Sequence, residues 1–389
     1  MNVQNHSMIN GRALYMFSHP SKAEWGYEKV QYDSFAIIFP KDYDETKKYP
    51  LDVVFHSAGH DLYSTIWCIT EKGNHDIYHT PDDMFSLILD CRANKNDWWW
   101  GGCDISLETY DETKRGVELQ PVENRCIATI EWVMDNYPVD RDRVYAVGNS
   151  MGGSGCIGVG LRHGNIFAAI KANVPAGVRH AADRCCLDTE APEGFSIPEP
   201  PILIDYSSQI DSWANGHEVL FEGMRKHRYA LHAFWGLYGH QNNNDLIAEH
   251  NDLVHNIPAR EFRKCDAYPV FTDATTDDVI PWLDRENGAD SGQVNGYFHW
   301  EVLADTADTL EMKLWLLSND DWQTRVTLPT ESVADILIRR IQNFKLDAGE
   351  EFKWTLGEQG GTAKADATGH PSMDRVRITQ APQILKLTK

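Results

Sequence analysis

Val144-Tyr145-Ala146-Val147-Gly148-Asn149-Ser150-Met151-Gly152-Gly153 reads as a buried strand that turns sharply into a helix. Gly148 and Gly152 stand two places either side of Ser150, the G-x-S-x-G spacing of a nucleophile elbow. Such a turn is strained, and side chains on its flanks would collide with neighbouring backbone, so glycine is needed there. The geometry lifts the Ser150 hydroxyl out of the sheet edge. It also leaves the Met151 N–H facing an incoming carbonyl oxygen. Five residues of this kind are weak alone. The apolar strand before them and the run Gly152, Gly153, Ser154, Gly155 after them supply the context.

Working outward, strands are expected at Asp33–Pro40, Leu51–Phe55, Met84–Cys91, Phe167–Asn173, Pro201–Tyr206 and Leu231–Phe234. Helices are expected between them. Val122–Tyr137 carries Cys126, Ile127, Ile130, Val133 and Met134 at helical spacing and is ended by Pro138. Met151–His163 and Gly216–Lys226 are the others, and the Val174–Pro201 stretch reads as a loop on the rim of a site. Alternating strands and helices predict an α/β fold, a mostly parallel sheet covered by helices. From Cys265 the pattern changes to successive strands, at 297–303, 309–317, 325–328, 333–341, 352–355 and 375–380, separated by polar turns. These predict a C-terminal all-β, sandwich-like domain. The expected organisation is a polar lead-in at 1–30, a catalytic domain at 31–264 and a β-rich domain at 265–389.

The 389 residues carry 36 Lys and Arg against 58 Asp and Glu, a formal charge of −22. Such a surface repels phosphate backbones and anionic lipid, which argues against nucleic acid and membrane as partners. No apolar run approaches the roughly 20 residues of a membrane span. Met1–Ser18 lacks the charged start and apolar core of a signal peptide, and the compartment is left open. Most of the 13 Trp are expected in the core, but many must be partly exposed, and exposed indoles suit sugar faces or phenolic rings. The 8 Cys (68, 91, 103, 126, 156, 185, 186, 265) fit no metal or redox spacing. Cys126 and Cys156, on predicted helices, are expected to be buried thiols. The adjacent Cys185 and Cys186 could pair elsewhere in an exported protein.

A serine hydroxyl needs a base, and the base needs an orienting acid. In a doubly wound sheet these follow at later strand ends in the order Ser, Asp, His. Asp211 lies just past the strand ending at Tyr206, and His240 lies in a Gly-His turn past the strand at 231–234. Asp205 and Asp245 are weaker candidates for the acid, and His217, His227 and His232 for the base, because they sit on element bodies or out of order. The loop His56-Ser57-Ala58-Gly59-His60, at another strand end, is expected to supply the second oxyanion donor from Ser57 or Ala58. His60 in that loop and Trp213 beside Asp211 are expected to touch substrate. Trp98, Trp99 and Trp100 cannot all face one core, because neighbouring side chains diverge. They are expected to contribute a substrate wall. His75 and His79 stand four apart without a glutamate at the second position, and read as a surface pair. Neither metal nor cofactor is expected.

Asn136–Gly155, with Asp142-Arg143-Val144-Tyr145 leading into Ser150-Met151-Gly152-Gly153, resembles the α/β-hydrolase family. More narrowly it is similar to esterases related to polyhydroxybutyrate depolymerases and to feruloyl or acetylxylan esterases. Ile202–Asp211 and Gly236–Gln241 support the resemblance, which covers about residues 30–262. Ser57-Ala58 and Asn94–Gly102 depart from the family pattern, and the β-rich tail lies outside it. The resemblance implies hydrolysis of a carboxylic ester through a serine acyl-enzyme without a cofactor, on a small-molecule or plant-polysaccharide ester. A serine peptidase of the prolyl oligopeptidase type shares the fold but normally carries a propeller ahead of it. A carbohydrate-binding protein with an inactive site is the reading from another class. The tail is left to bind polysaccharide, to mediate a homo-oligomer contact or to buttress the sheet.

Overall fold

Nine strands precede residue 237: β1 (Asn2–Ile9), β2 (Arg12–Pro20), β3 (Tyr32–Ile38), β4 (Tyr49–Phe55), β5 (Phe85–Leu89), β6 (Val139–Asn149), β7 (Ala169–Asn173), β8 (Ile202–Ser208) and β9 (Leu231–Gly236). The computed structural model describes residues 2–27, 29–70, 78, 80–91, 99, 118–197, 199–240, 253–254, 257–319 and 327–389. After β10 (Tyr268–Thr272), the short β11 (Gly292–Val294) returns to the first sheet. The strand order there is β1-β2-β3-β5-β4-β6-β7-β8-β9-β11. β5, β4, β6, β7, β8 and β9 run parallel, while β1–β3 at one side and β11 at the other are antiparallel. This is the α/β-hydrolase fold, with the crossover of β5 over β4 that puts β4 beside β6.

The parallel strands are apolar on both faces, as strands covered twice must be. Val53, Ala146, Ile170, Leu203 and Ala233 face one core, shared with the helices α2 (Pro121–Asn136), α3 (Met151–Gly158), α4 (Val178–Arg184) and α5 (His217–Lys226), which follow α1 (Leu62–Thr70) along the chain. Their sequence neighbours point the other way. Val54 and Ile88 pack with Leu62 and Cys68 of α1. Tyr145, Ala169, Ile202, Ile204 and Phe234 enter a core built with residues after 265.

Those later residues form β12 (Phe298–Asp305), β13 (Thr309–Leu316), β14 (Glu331–Arg339), β15 (Glu351–Leu356), β16 (Gln359–Lys364), β17 (Ser372–Thr379) and β18 (Gln383–Thr388). They make two antiparallel sheets, β10-β14-β17 and β12-β13-β18-β15-β16. The all-β expectation for the tail therefore holds. Residues 265–389 also share a core with the first sheet and lend it β11, so the tail is built into the same unit as that sheet.

Three expectations need correction. Residues 1–30 are not a lead-in, because β1 and β2 are hairpin strands of the main sheet. Their turn is Asn10-Gly11, with φ of 49° and 76°, joining Ile9 to Arg12. Asn-Gly between alternating residues is a strong short-range hairpin signal. It was hidden because β1 is exposed and polar. The 174–201 stretch is not only a rim loop: α4 lies in it, with Val178, Ala181 and Ala182 buried. Its small residues read as loop while they serve close helix packing. Residues 327–328 are not strand, and 325–326 lie outside the described residues.

Candidate active site

Ser150 sits between β6 and α3 with φ 56° and ψ −120°. An added Cβ at Gly148 would stand 2.3 Å from the Gly152 carbonyl oxygen, and one at Gly152 would stand 1.9 Å from that of Phe55. No side chain fits either flank, so the glycine spacing is a steric requirement. Ser150 N–H donates to Asn173 O at 3.0 Å, and Ser150 O accepts from Ser154 and Ala176 N–H, each at 3.1 Å. These bonds hold the strained residue at the carboxyl ends of β6 and β7.

His240 Nε2 lies 2.8 Å from Ser150 Oγ, and His240 Nδ1 lies 2.6 Å from Asp211 Oδ2. The Asp211 side chain is 1% exposed and that of His240 is 31% exposed. The carboxylate is therefore shielded while the imidazole reaches solvent. Trp213 N–H donates to the other carboxylate oxygen, Asp211 Oδ1, at 2.9 Å. Asp211 thus uses one oxygen for its own turn and one for the imidazole. Ser208 Oγ accepts from Gly239 N–H at 2.9 Å and Tyr238 N–H at 3.2 Å. The end of β8 thereby fixes the turn that carries His240, and Gly239 in that turn has φ 70°. Ser208 was missed because nothing in its local sequence marks a serine that faces another loop.

Met151 begins α3, so its N–H lies at the positive end of the helix beside Ser150. The Ser57 N–H is not available as a second donor. It donates to the Tyr78 hydroxyl at 2.7 Å, and Ser57 Oγ donates to Asn149 O at 2.8 Å. Ser57 is therefore the brace of its loop, and Ala58 and Gly59 are exposed at the turn. Burial pushes the Tyr78 phenol up to about 12, so it stays protonated. His60 is half-buried, with its ring 5.6 Å from that of Tyr78.

Trp99 is core, not substrate wall. It is fully buried, its Nε1–H donates to His56 O at 3.1 Å, and its ring packs edge-on against Phe55 and His56 at 4.9 and 4.7 Å. The indole anchors the base of the 56–60 loop, where a flat apolar body with one donor fits. Trp98, Trp100, Asp245, His75 and His79 lie outside the described residues. Trp213 is 42% exposed with its ring 6.2 Å from that of His240, and Ile210 and Leu237 are exposed nearby in sequence.

The other candidates lie elsewhere. His232 is buried, its Nδ1 donates to Asn295 O at 2.9 Å, and burial lowers it to about 4. His227 ends α5. Asp205 and His217 pair with each other at 3.3 Å. Cys126, Cys156, Cys185 and Cys186 are buried free thiols, so the adjacent pair forms no disulfide. Among the described residues no cluster of three or more metal-ligating side chains occurs, and no helix is long and apolar enough to cross a membrane.

No family model matches the chain, and no curated protein matches it. Solved structures do show similarity. An S-formylglutathione hydrolase from Agrobacterium tumefaciens is 15% identical over 62% of this chain and 93% of that one, with a TM-score of 0.42. A ferulic acid esterase from Anaeromyces mucronatus is 16% identical over 62% and 93%, with a TM-score of 0.40. An acetyl xylan esterase from Paenibacillus sp. R4 is 12% identical over 63% and 86%, with a TM-score of 0.42.

Proposed function

We propose that this α/β-hydrolase-fold protein is a serine esterase that cleaves carboxylic esters through an acyl-enzyme. The observation that carries the reading is the continuous contact from Ser150 Oγ to His240 Nε2 at 2.8 Å and from His240 Nδ1 to Asp211 Oδ2 at 2.6 Å. Ser150 Oγ attacks the ester carbonyl as His240 Nε2 takes its proton. The buried Asp211 carboxylate stabilises the imidazolium that forms. The oxyanion is received by the N–H groups of Met151 and Ala58. Collapse breaks the bond to the alcohol, which leaves with the proton from His240. Water then repeats the sequence on the acyl-enzyme and releases the acid.

On the substrate side, we favour a carbohydrate ester carrying an acetyl or feruloyl group. Trp213, exposed beside the base, offers a flat face to a sugar or phenolic ring. Ile210 and Leu237, exposed and close in sequence to Asp211 and His240, add apolar surface to these two loops. His60 would border the oxyanion side. Turnover of p-nitrophenyl acetate, methyl ferulate and acetylated xylan tests this, together with fluorophosphonate labelling. The expected result is labelling at Ser150 and loss of both labelling and turnover in Ser150→Ala. An intact fold that neither labels nor turns over any of the three esters would sink the reading and favour a binding protein.

A further inference from the structure

Asp205, Ser207 and His217 form a second polar cluster beneath the loop that carries Asp211, and the reaction above uses none of them. All three are fully buried. Ser207 Oγ donates to Asp205 Oδ2 at 3.0 Å and lies 2.6 Å from His217 Nε2, which is itself 3.3 Å from Asp205 Oδ2. The other ring nitrogen, Nδ1, lies 2.7 Å from Ala214 O. A carbonyl oxygen only accepts, so Nδ1 carries a proton. Nε2 faces a carboxylate and a hydroxyl whose hydrogen is already directed at that carboxylate, so it donates as well. Burial opposes charge on the ring, and Asp205 with the Ala214 carbonyl overcomes it, so the pKa of His217 is raised. Trp282 stacks on the ring at 4.7 Å and closes its open side.

The cluster repeats the residue types of a catalytic triad but cannot act as one. Serine and aspartate meet the same ring nitrogen, so no proton can be relayed through the ring, and no substrate reaches it. Its contacts lead instead to the acid loop. The carbonyl that His217 holds belongs to Ala214, whose N–H donates to Asp211 O at 3.1 Å. Within that turn, Trp213 N–H holds Asp211 Oδ1 while Oδ2 is left for His240. One buried histidine therefore clamps the far end of the turn that aims the carboxylate.

We propose that His217 is a positioning residue for the reaction: backed by Asp205 and Ser207, it holds the Asp211–Ala214 turn so that the Asp211 carboxylate stays aligned with His240. This inference rests on the esterase reading. The test uses the whole chain and two variants that keep opposite halves of the ring's bonding. The amide of His217→Asn reaches the position of Nδ1 and can still donate to Ala214 O. The amide of His217→Gln reaches the position of Nε2 and can donate only toward Asp205. Tm, kcat and KM on p-nitrophenyl acetate, and the pH profile of kcat/KM, are measured for each.

The expected result is that His217→Gln lowers kcat about 10²-fold with KM little changed, the cost of a misplaced catalytic group. The acidic limb of its profile moves to lower pH, because a misaligned carboxylate supports the imidazolium less. His217→Asn keeps most of kcat and the wild-type profile. Equal kcat in the two variants, or an unshifted profile with only Tm lowered, overturns the proposal and leaves His217 as packing. If neither variant folds, Ser207→Ala decides in the same way, since it removes the 2.6 Å contact that pins Nε2 and frees the imidazole to swing off Ala214 O. A shifted profile supports the clamp, and an unchanged one overturns it. Activity surviving in Ser150→Ala would instead defeat the esterase reading on which this stands.

Discussion

At Ser150 the backbone stays in a region that L residues rarely adopt, with φ 56°. The surrounding bonds sustain that strain so that the hydroxyl meets His240. Removing the hydroxyl in Ser150→Ala should lower kcat by about 10⁶, as for other triads. Asp211→Asn should cost about 10⁴, because the amide favours the wrong imidazole tautomer. Initial rates on p-nitrophenyl acetate check both. These three residues were legible because the elbow has a fixed spacing and the acid and base follow strands in a fixed order. Tyr78 and Ser208 were not, since each matters through a single bond to a distant loop. Trp99 was misread because three consecutive indoles do not say which one turns inward. Lys171, in the middle of β7, shows another cost of burial, with its ammonium pKa lowered to about 8 by desolvation first and by Arg260 second. The unfolded chain therefore binds more protons than the native one between that value and about 10.5. Stability should rise with pH through that window. Lys171→Met should remove the slope and raise the Tm at pH 7, as thermal melts across pH would show.

Among the elements, α3 shows why a helix rich in a poor helix former is kept. An added Cβ at Gly155 would stand 2.6 Å from Trp99 Cδ1. Alanine there gains about 1 kcal/mol of helix propensity. It also forces the indole or the helix to move, at a cost of about 1–3 kcal/mol. Gly155→Ala should therefore lower the urea midpoint, and it should also disturb the 56–60 loop that Trp99 anchors. The α2 helix could be read from the helical spacing of Cys126, Ile130, Val133 and Met134, and the parallel strands from short continuous apolar runs, which burial on both faces produces. The first hairpin could not be read that way. Its β1 residues 3–8 are exposed, so period-two alternation is weak and only the Asn-Gly turn remains as a signal. The β-rich tail read more easily, because strands such as β13 alternate buried and half-buried residues along their length.

For the molecule as a whole, the two regions are fastened by adjacent arginines at the end of β14. The Arg340 guanidinium is buried and donates to the carbonyl oxygens of Gly164, Phe167, Ala168 and Glu199 at 2.8–3.2 Å. Arg339 donates to those of His227 and Arg228 at 3.0 and 2.8 Å. Six carbonyls of the first region are thus satisfied by one dipeptide of the tail. Arg340→Ala should destabilise the protein by about 3 kcal/mol, because it strands charge-assisted acceptors in a dry interface. Denaturant titration followed by tryptophan emission measures that loss, and both regions should melt together. The sequence placed these arginines on a strand end and gave no hint of where they reach, since docking depends on surfaces far apart in the chain. The late return of β11 to the edge of β9 carries a consequence for biosynthesis. A nascent chain displaying β1–β9 still presents a bare sheet margin and an oily underside until residues 265–389 leave the ribosome. Productive folding must wait until β11 and the strands that share this core have emerged, and a polypeptide stalled before them would be a client for chaperones.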